Sequence, residues 1–275
     1  MSRYGITRYP GLWQAMWLMT AVNLLAGILL VPYGVWASLR QGTFAVHPAA
    51  MAAANLAGFG AVCWYGFRKT GLPWSAVFPL KRVPWTLLAG VAVAALGLVI
   101  VLSEVDNVFR GFVPMPPEMV EFFKETLGGG SSLAWSLVLA ALVAPFTEEF
   151  LFRGLIQGGL AARHGVWPGI AITALLFGAM HLNPWQMVSA AFFGLLVGWL
   201  MACTGSLIPC VWAHMVGNAV VTLLPKLPFE IRGFNTPVTA VPVMQPWWFD
   251  VAGVVLLTAG IFWIARLAER STNFR

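Results

Sequence analysis

Apolar runs of roughly twenty residues recur along this chain at 13–36, 48–67, 85–102, 133–160, 167–182, 184–201, 206–224 and 248–267. A bilayer core is crossed by about 20 consecutive apolar residues in a helix, so the runs predict an all-α fold: a polytopic membrane helix bundle of about eight transmembrane helices. The first run is longer than a signal-peptide core and many more follow it, so it counts as a membrane helix. The fourth run contains Pro145 and the fifth is short, which leaves those boundaries the least defined. Only 9% of the 275 residues are charged, 59% are hydrophobic and the mean hydropathy is +0.80. That is too little charge to cover a water-exposed surface, so the expected solvent for most of the chain, and its first partner, is the lipid bilayer.

The net charge of +6 does not point to nucleic acid. The basic residues sit in short gaps between apolar runs, with no stripe to track a phosphate backbone. Sorted by the positive-inside rule, Arg3, Arg8, Arg68, Lys69, Lys81, Arg82, Arg163, Arg266, Arg270 and Arg275 fall on one side, and Arg40, Arg110, Lys124, Lys226 and Arg232 on the other. The expectation is a multi-pass protein of a bacterial plasma (inner) membrane with both termini cytoplasmic, which requires an even number of crossings. Trp13, Trp36, Trp85, Trp167, Trp185, Trp247 and Trp248 near the run ends form an aromatic belt. Between the third and fourth runs, residues 116–127 carry Met119, Phe122, Phe123 and Leu127 at helical spacing, as in an amphipathic interfacial helix ended by Gly128 to Gly130. The gap beside it is a candidate gate for substrate. Cys63, Cys203 and Cys210 have no metal-ligand or redox spacing and read as small core residues. His47 and His164 fall in expected loops, and Asn183 reads as a helix cap.

Ionisable side chains inside a membrane are costly unless paired or facing a cavity, and each marks a functional candidate. Glu148, Glu149, Arg153, His181 and His214 are such groups. Glu149 and Arg153 are four apart and share a helix face as a potential ion pair. Glu148 points about 100 degrees away, without a partner on its own helix. Pro145 removes one backbone hydrogen bond close to the carboxylates and can bend the helix or admit water. Phe177 and His181, and likewise His214 and Asn218, each lie on one face of their own helix. Counted at about 1.5 Å per residue from the cytoplasmic ends, Glu148, His181, His214 and Asn218 all reach a depth of roughly 12 to 21 Å. They can meet at one level inside the bilayer.

A carboxylate and an imidazole beside a trapped water suit general-base hydrolysis, with a second imidazole and a carboxamide to stabilise an oxyanion. The same Glu148, His181 and His214 could instead bind zinc, although no His-Glu-x-x-His motif is present. Buried carboxylates and histidines also line transporters.

Three motifs, Glu-Glu-x-x-x-Arg at Glu148, Glu149 and Arg153, Phe-x-x-x-His at Phe177 and His181, and His-x-x-x-Asn at His214 and Asn218, stand in this order on separate expected helices. This ordered set resembles the CPBP (ABI) intramembrane proteases, which include the type 2 CAAX prenyl endopeptidases. The resemblance covers about residues 140–222. It divides the single membrane domain into residues 1–132, a CPBP-like catalytic core at 133–224, and a loop with a last helix at 225–275. It implies an endopeptidase acting on a membrane-associated peptide or protein, of which a prenylated CAAX tail is one kind. By resemblance Glu148 activates water with the help of His181, while His214 and Asn218 form the oxyanion site. Glu149, Arg153 and Phe177 support the site or touch substrate. Members are often labelled metalloproteases, yet the glutamate mechanism requires no cofactor; zinc is the alternative. A transporter and an immunity-type binder that sequesters a peptide without cleaving it are the competing readings.

Overall fold

A computed structural model describes residues 9–41, 46–128, 132–236, 239 and 241–272. The described residues are organised by nine longer helices: α1 (Leu12–Gln41), α2 (Pro48–Thr70), α3 (Trp85–Phe112), α4 (Pro117–Gly128), α5 (Leu133–His164), α6 (Val166–Ala179), α7 (Pro184–Thr204), α8 (Leu207–Leu223) and α9 (Trp247–Thr272). The fold is an all-α bundle, and seven of these helices, all except α4 and α6, are long and apolar enough to cross a membrane. The chain is a multi-pass integral membrane protein.

The apolar runs predict about eight spans with the fifth short, and the fifth is the one that does not reach full length. α6 has 14 residues, about 21 Å at 1.5 Å per residue, short of the roughly 30 Å hydrocarbon core. Tight turns at both ends shorten it. Gly165 turns the chain out of α5 with φ 89, a conformation that suits glycine. At the other end the His181 N–H donates to the Gly178 carbonyl and the Leu182 N–H to the Ala179 carbonyl. Leu182 then takes φ 57 and Asn183 starts α7. Asn183 is the expected cap, accepting the Gln186 N–H at 2.9 Å. His164 closes α5 instead of lying in a loop, and His47 caps α2 by accepting the Ala49 N–H at 3.1 Å; both are exposed.

α3 runs past its expected end at 102 to Phe112. Its last turns are polar, and the loop before α9 consumes that polarity: Asn107 donates to the Gly233 carbonyl at 2.8 Å, Glu104 accepts the Gln245 N–H at 2.9 Å, and Arg110, paired with Asp106 on its own helix, donates to the Thr239 carbonyl at 3.3 Å. Trp185 at the start of α7 donates from Nε1 to the Val113 carbonyl at 3.0 Å. It forms a small core with Met115 and Val120, against which Met119 packs. The amphipathic α4 therefore rests on the α3–α7 junction. Of its expected apolar face only Met119 can be placed, because the side chains of Phe122, Phe123 and Leu127 lie outside the described ones, as do Gly129 and Gly130.

Lipid gives helices no hydrophobic reason to associate, so close packing of small residues carries the bundle. A Cβ at Gly97 of α3 would strike the backbone of Leu257, and one at Gly260 of α9 would strike Ala94. α6 and α7 meet in the same way, with Gly178 against Met187 and Ala191, and Gly194 against Ala174. Cys63 and Cys210 are buried, Cys203 is half-buried, and the three form no disulfide.

Candidate active site

The centre of the bundle is set by α5, which is not a uniform helix. Wide π turns over Val138–Val143 and Phe150–Ile156 flank an α segment, Ala144–Glu149. Pro145 has no N–H to give, and the Ala144 N–H reaches back five residues to the Leu139 carbonyl. The break expected at the proline thus takes the form of widened turns, a geometry found often at functional sites. Glu148 and Glu149 end the segment between them.

Glu149, Arg153 and Gln157 make a ladder along one face of α5, each 0% exposed. Arg153 Nη1 lies 3.2 Å from Glu149 Oε1, the ion pair expected from their spacing. Its Nη2 donates to the Gly194 carbonyl at 3.2 Å, and Gln157 Nε2 donates to the Gly198 carbonyl at 2.9 Å. A Cβ at either place on α7 would crowd these bonds: one at Gly194 would stand 3.3 Å from Arg153 Nη2, and one at Gly198 would stand 3.0 Å from Gln157 Oε1. The guanidinium also lies 4.5 Å from the centre of the Phe177 ring, a cation–π contact. Sequence reasoning missed Gln157, although it follows Arg153 at the same four-residue interval inside an apolar run.

α8 brings His214 to this ladder. Its Nδ1 sits 2.7 Å from Glu149 Oε1, and its Nε2 lies 3.9 Å from Glu148 Oε2. Because the carboxylate beside Arg153 accepts, Nδ1 carries a proton and Nε2 is turned toward Glu148. Phe177 and Phe193 wall the ring at 5.7 and 5.1 Å between centres. Glu148 keeps 14% side-chain exposure, and 3.9 Å is beyond a direct hydrogen bond. Two atoms so spaced can each lie about 2.8 Å from one bent, shared water.

His181, at the end of α6, donates from Nδ1 to the Phe177 carbonyl at 3.1 Å. A carbonyl only accepts, so the other ring nitrogen holds the lone pair when the ring is neutral. His181 and His214 both lie within electrostatic reach of Glu148, and Phe177 stands between them, its ring 5.5 Å from that of His181. Asn218, one turn after His214, donates from Nδ2 to the Ala140 carbonyl at 2.8 Å. All seven residues singled out in the sequence thus belong to one neighbourhood of α5, α6 and α8. Among the described residues no three His, Cys, Asp or Glu side chains are grouped as a metal site. In the zinc set considered above, Glu148, His181 and His214, Glu149 holds Nδ1 of His214 and the Phe177 carbonyl holds Nδ1 of His181, which leaves the Nε2 atoms as the nitrogens that would face an ion.

Residues 130–220, about a third of the chain, match a family model described as type II CAAX prenyl endopeptidase Rce1-like. No curated protein and no solved structure matches the chain. The matched stretch contains all three motifs and every residue of the site just described, and across it the chain is similar to the type II CAAX prenyl endopeptidases.

Proposed function

We propose that this protein is an intramembrane endopeptidase whose water nucleophile is activated by Glu148 and requires no metal. The observation that carries the reading is the double engagement of His214, held at 2.7 Å by the buried Glu149 and facing Glu148 at 3.9 Å. A carboxylate with no bonded cation of its own, next to an imidazole fixed by a second carboxylate, is suited to moving a proton. Glu148 takes one proton from water and the hydroxide attacks the peptide carbonyl. The lone pair of His181 accepts a hydrogen bond from the O–H that remains and orients the attack.

Negative charge then develops on the carbonyl oxygen. In its doubly protonated form His214, held at Nδ1 by Glu149, donates its Nε2–H to that oxygen, and the second N–H of Asn218 is a further donor. One such donor is worth on the order of 10²–10³ in rate. Collapse breaks the C–N bond, and the proton held by Glu148 passes to the leaving amine. Arg153 offsets the charge of Glu149 throughout, and Phe177 holds Arg153 and both histidines in place.

The proposed substrate is a membrane-associated peptide, and the family match supports a CAAX-type, prenylated tail as the first to try. The proposed orientation has both termini in the cytoplasm, so that the short α6, with the turn at His181, completes a crossing. The test is cleavage of a peptide panel, with and without a prenyl group, by purified wild type and Glu148→Ala. Cleavage by wild type alone upholds the reading; equal activity in the two proteins, or none in folded wild type across the panel, rejects it.

A further inference from the structure

Pro145 leaves a backbone acceptor of α5 without its donor, and a side chain on α8 supplies one. In an ordinary α-helix the Ala140 carbonyl would accept the N–H of residue 144. Here the Ala144 N–H goes instead to Leu139. In that five-residue register the next donor in line for Ala140 is residue 145, a proline, which has none. A carbonyl without a partner is costly at membrane depth, where water is scarce. The Asn218 amide meets it at 2.8 Å, across 78 residues of sequence.

The same face of α8 makes the other bond to α5. His214 and Asn218 are four residues apart, so one helical stripe grips α5 at Glu149 through the ring and at Ala140 through the amide. The two grips bracket Pro145 and Glu148. Thr147 closes the turn between them, its hydroxyl donating toward the Val143 and Ala144 carbonyls at 2.9 and 3.1 Å.

We infer that Asn218 is a clasp: its amide stands in for the N–H that Pro145 lacks and so fixes the register of Glu148 and Glu149 against His214. Asn218 is a positioning residue in this role, whatever its second N–H does. The clasp follows from the backbone alone, while its effect on turnover rests on the protease reading above.

The test is a double-mutant cycle of wild type, Pro145→Ala, Asn218→Ala and the double variant, each purified in the same detergent. Alanine at position 145 restores a backbone donor for Ala140, from residue 145 in the wide register or from residue 144 in the ordinary one, and alanine is favoured in helices. Asn218→Ala is expected to lower the native-to-unfolded ratio about tenfold when Pro145 is present, the usual scale for an orphaned buried acceptor, and less than about twofold in the Pro145→Ala background. Its cost in kcat is likewise expected to be about tenfold larger with Pro145 in place than in the Pro145→Ala background. An equal drop in the native-to-unfolded ratio in both backgrounds overturns the clasp. Equal losses of kcat overturn its positioning role and leave Asn218 acting on the reacting atoms alone. If wild type cleaves nothing, the protease reading falls, yet the stability cycle still decides the clasp.

Discussion

Replacing Arg153 by Met strips the cation from a carboxylate that has no solvent to turn to. Glu149 and Arg153 are both 0% exposed and 3.2 Å apart. Breaking such a pair from one side costs about 3–5 kcal/mol, because the remaining charge is left buried and unpaired. Arg153→Met also gives up the bond to the Gly194 carbonyl and the contact with the Phe177 ring. Glu149→Gln is similarly costly from the other side, leaving the buried guanidinium without a counter-charge. The double variant strands no charge: the glutamine amide introduced by Glu149→Gln still offers a carbonyl oxygen to the Nδ1–H of His214, and methionine fills much of the volume of the arginine. It should fall within about 2 kcal/mol of wild type, giving a coupling energy of at least about 4 kcal/mol. Equilibrium unfolding in mixed detergent micelles, followed by the fluorescence of the 14 tryptophans, measures all four proteins. Additive single-variant costs would refute the account of Glu149 as a charge kept in place by Arg153. The double variant should also be a poor enzyme despite its stability, since position 149 no longer holds a carboxylate against Nδ1 of His214.

Two further substitutions probe what holds the site. Gly97→Ala drives a methyl into the Leu257 backbone of α9, and should cost about 1–3 kcal/mol in the same unfolding assay; a neutral result would mean that α3 and α9 do not pack this closely. Asn183→Ala removes the cap of α7 and should cost about 1 kcal/mol, with Asn183→Ser recovering most of it.

What the sequence makes legible here is what helical spacing encodes. Glu149 and Arg153, four apart in an apolar run, form the buried pair that such spacing favours. Gln157 obeys the same rule and escapes notice because an uncharged amide in a membrane raises less suspicion than an ion. Contacts between helices lie beyond spacing arguments. Nothing in the order of residues tells that His214 lies between the two glutamates, since that depends on how α8 leans on α5. The bond from Asn218 to Ala140 depends on a shift from α to π register, which Pro145 signals only as a break. The short α6 and the long α3 differ from expectation at their ends for a local reason. Apolar counting does not detect the turn at Leu182, nor the loop that satisfies Glu104, Asn107 and Arg110 beyond the run.

Turnover of a membrane-associated peptide by metal-stripped wild type and by Glu148→Gln, both reconstituted in liposomes, addresses the central claim most directly. The account predicts that chelation leaves the wild-type rate unchanged, and that the glutamine variant, folded like wild type, is slower by about 10²–10⁴, the usual worth of a general base. Loss of activity on chelation with recovery on adding zinc, or a Glu148→Gln protein that cleaves at the wild-type rate, would contradict it.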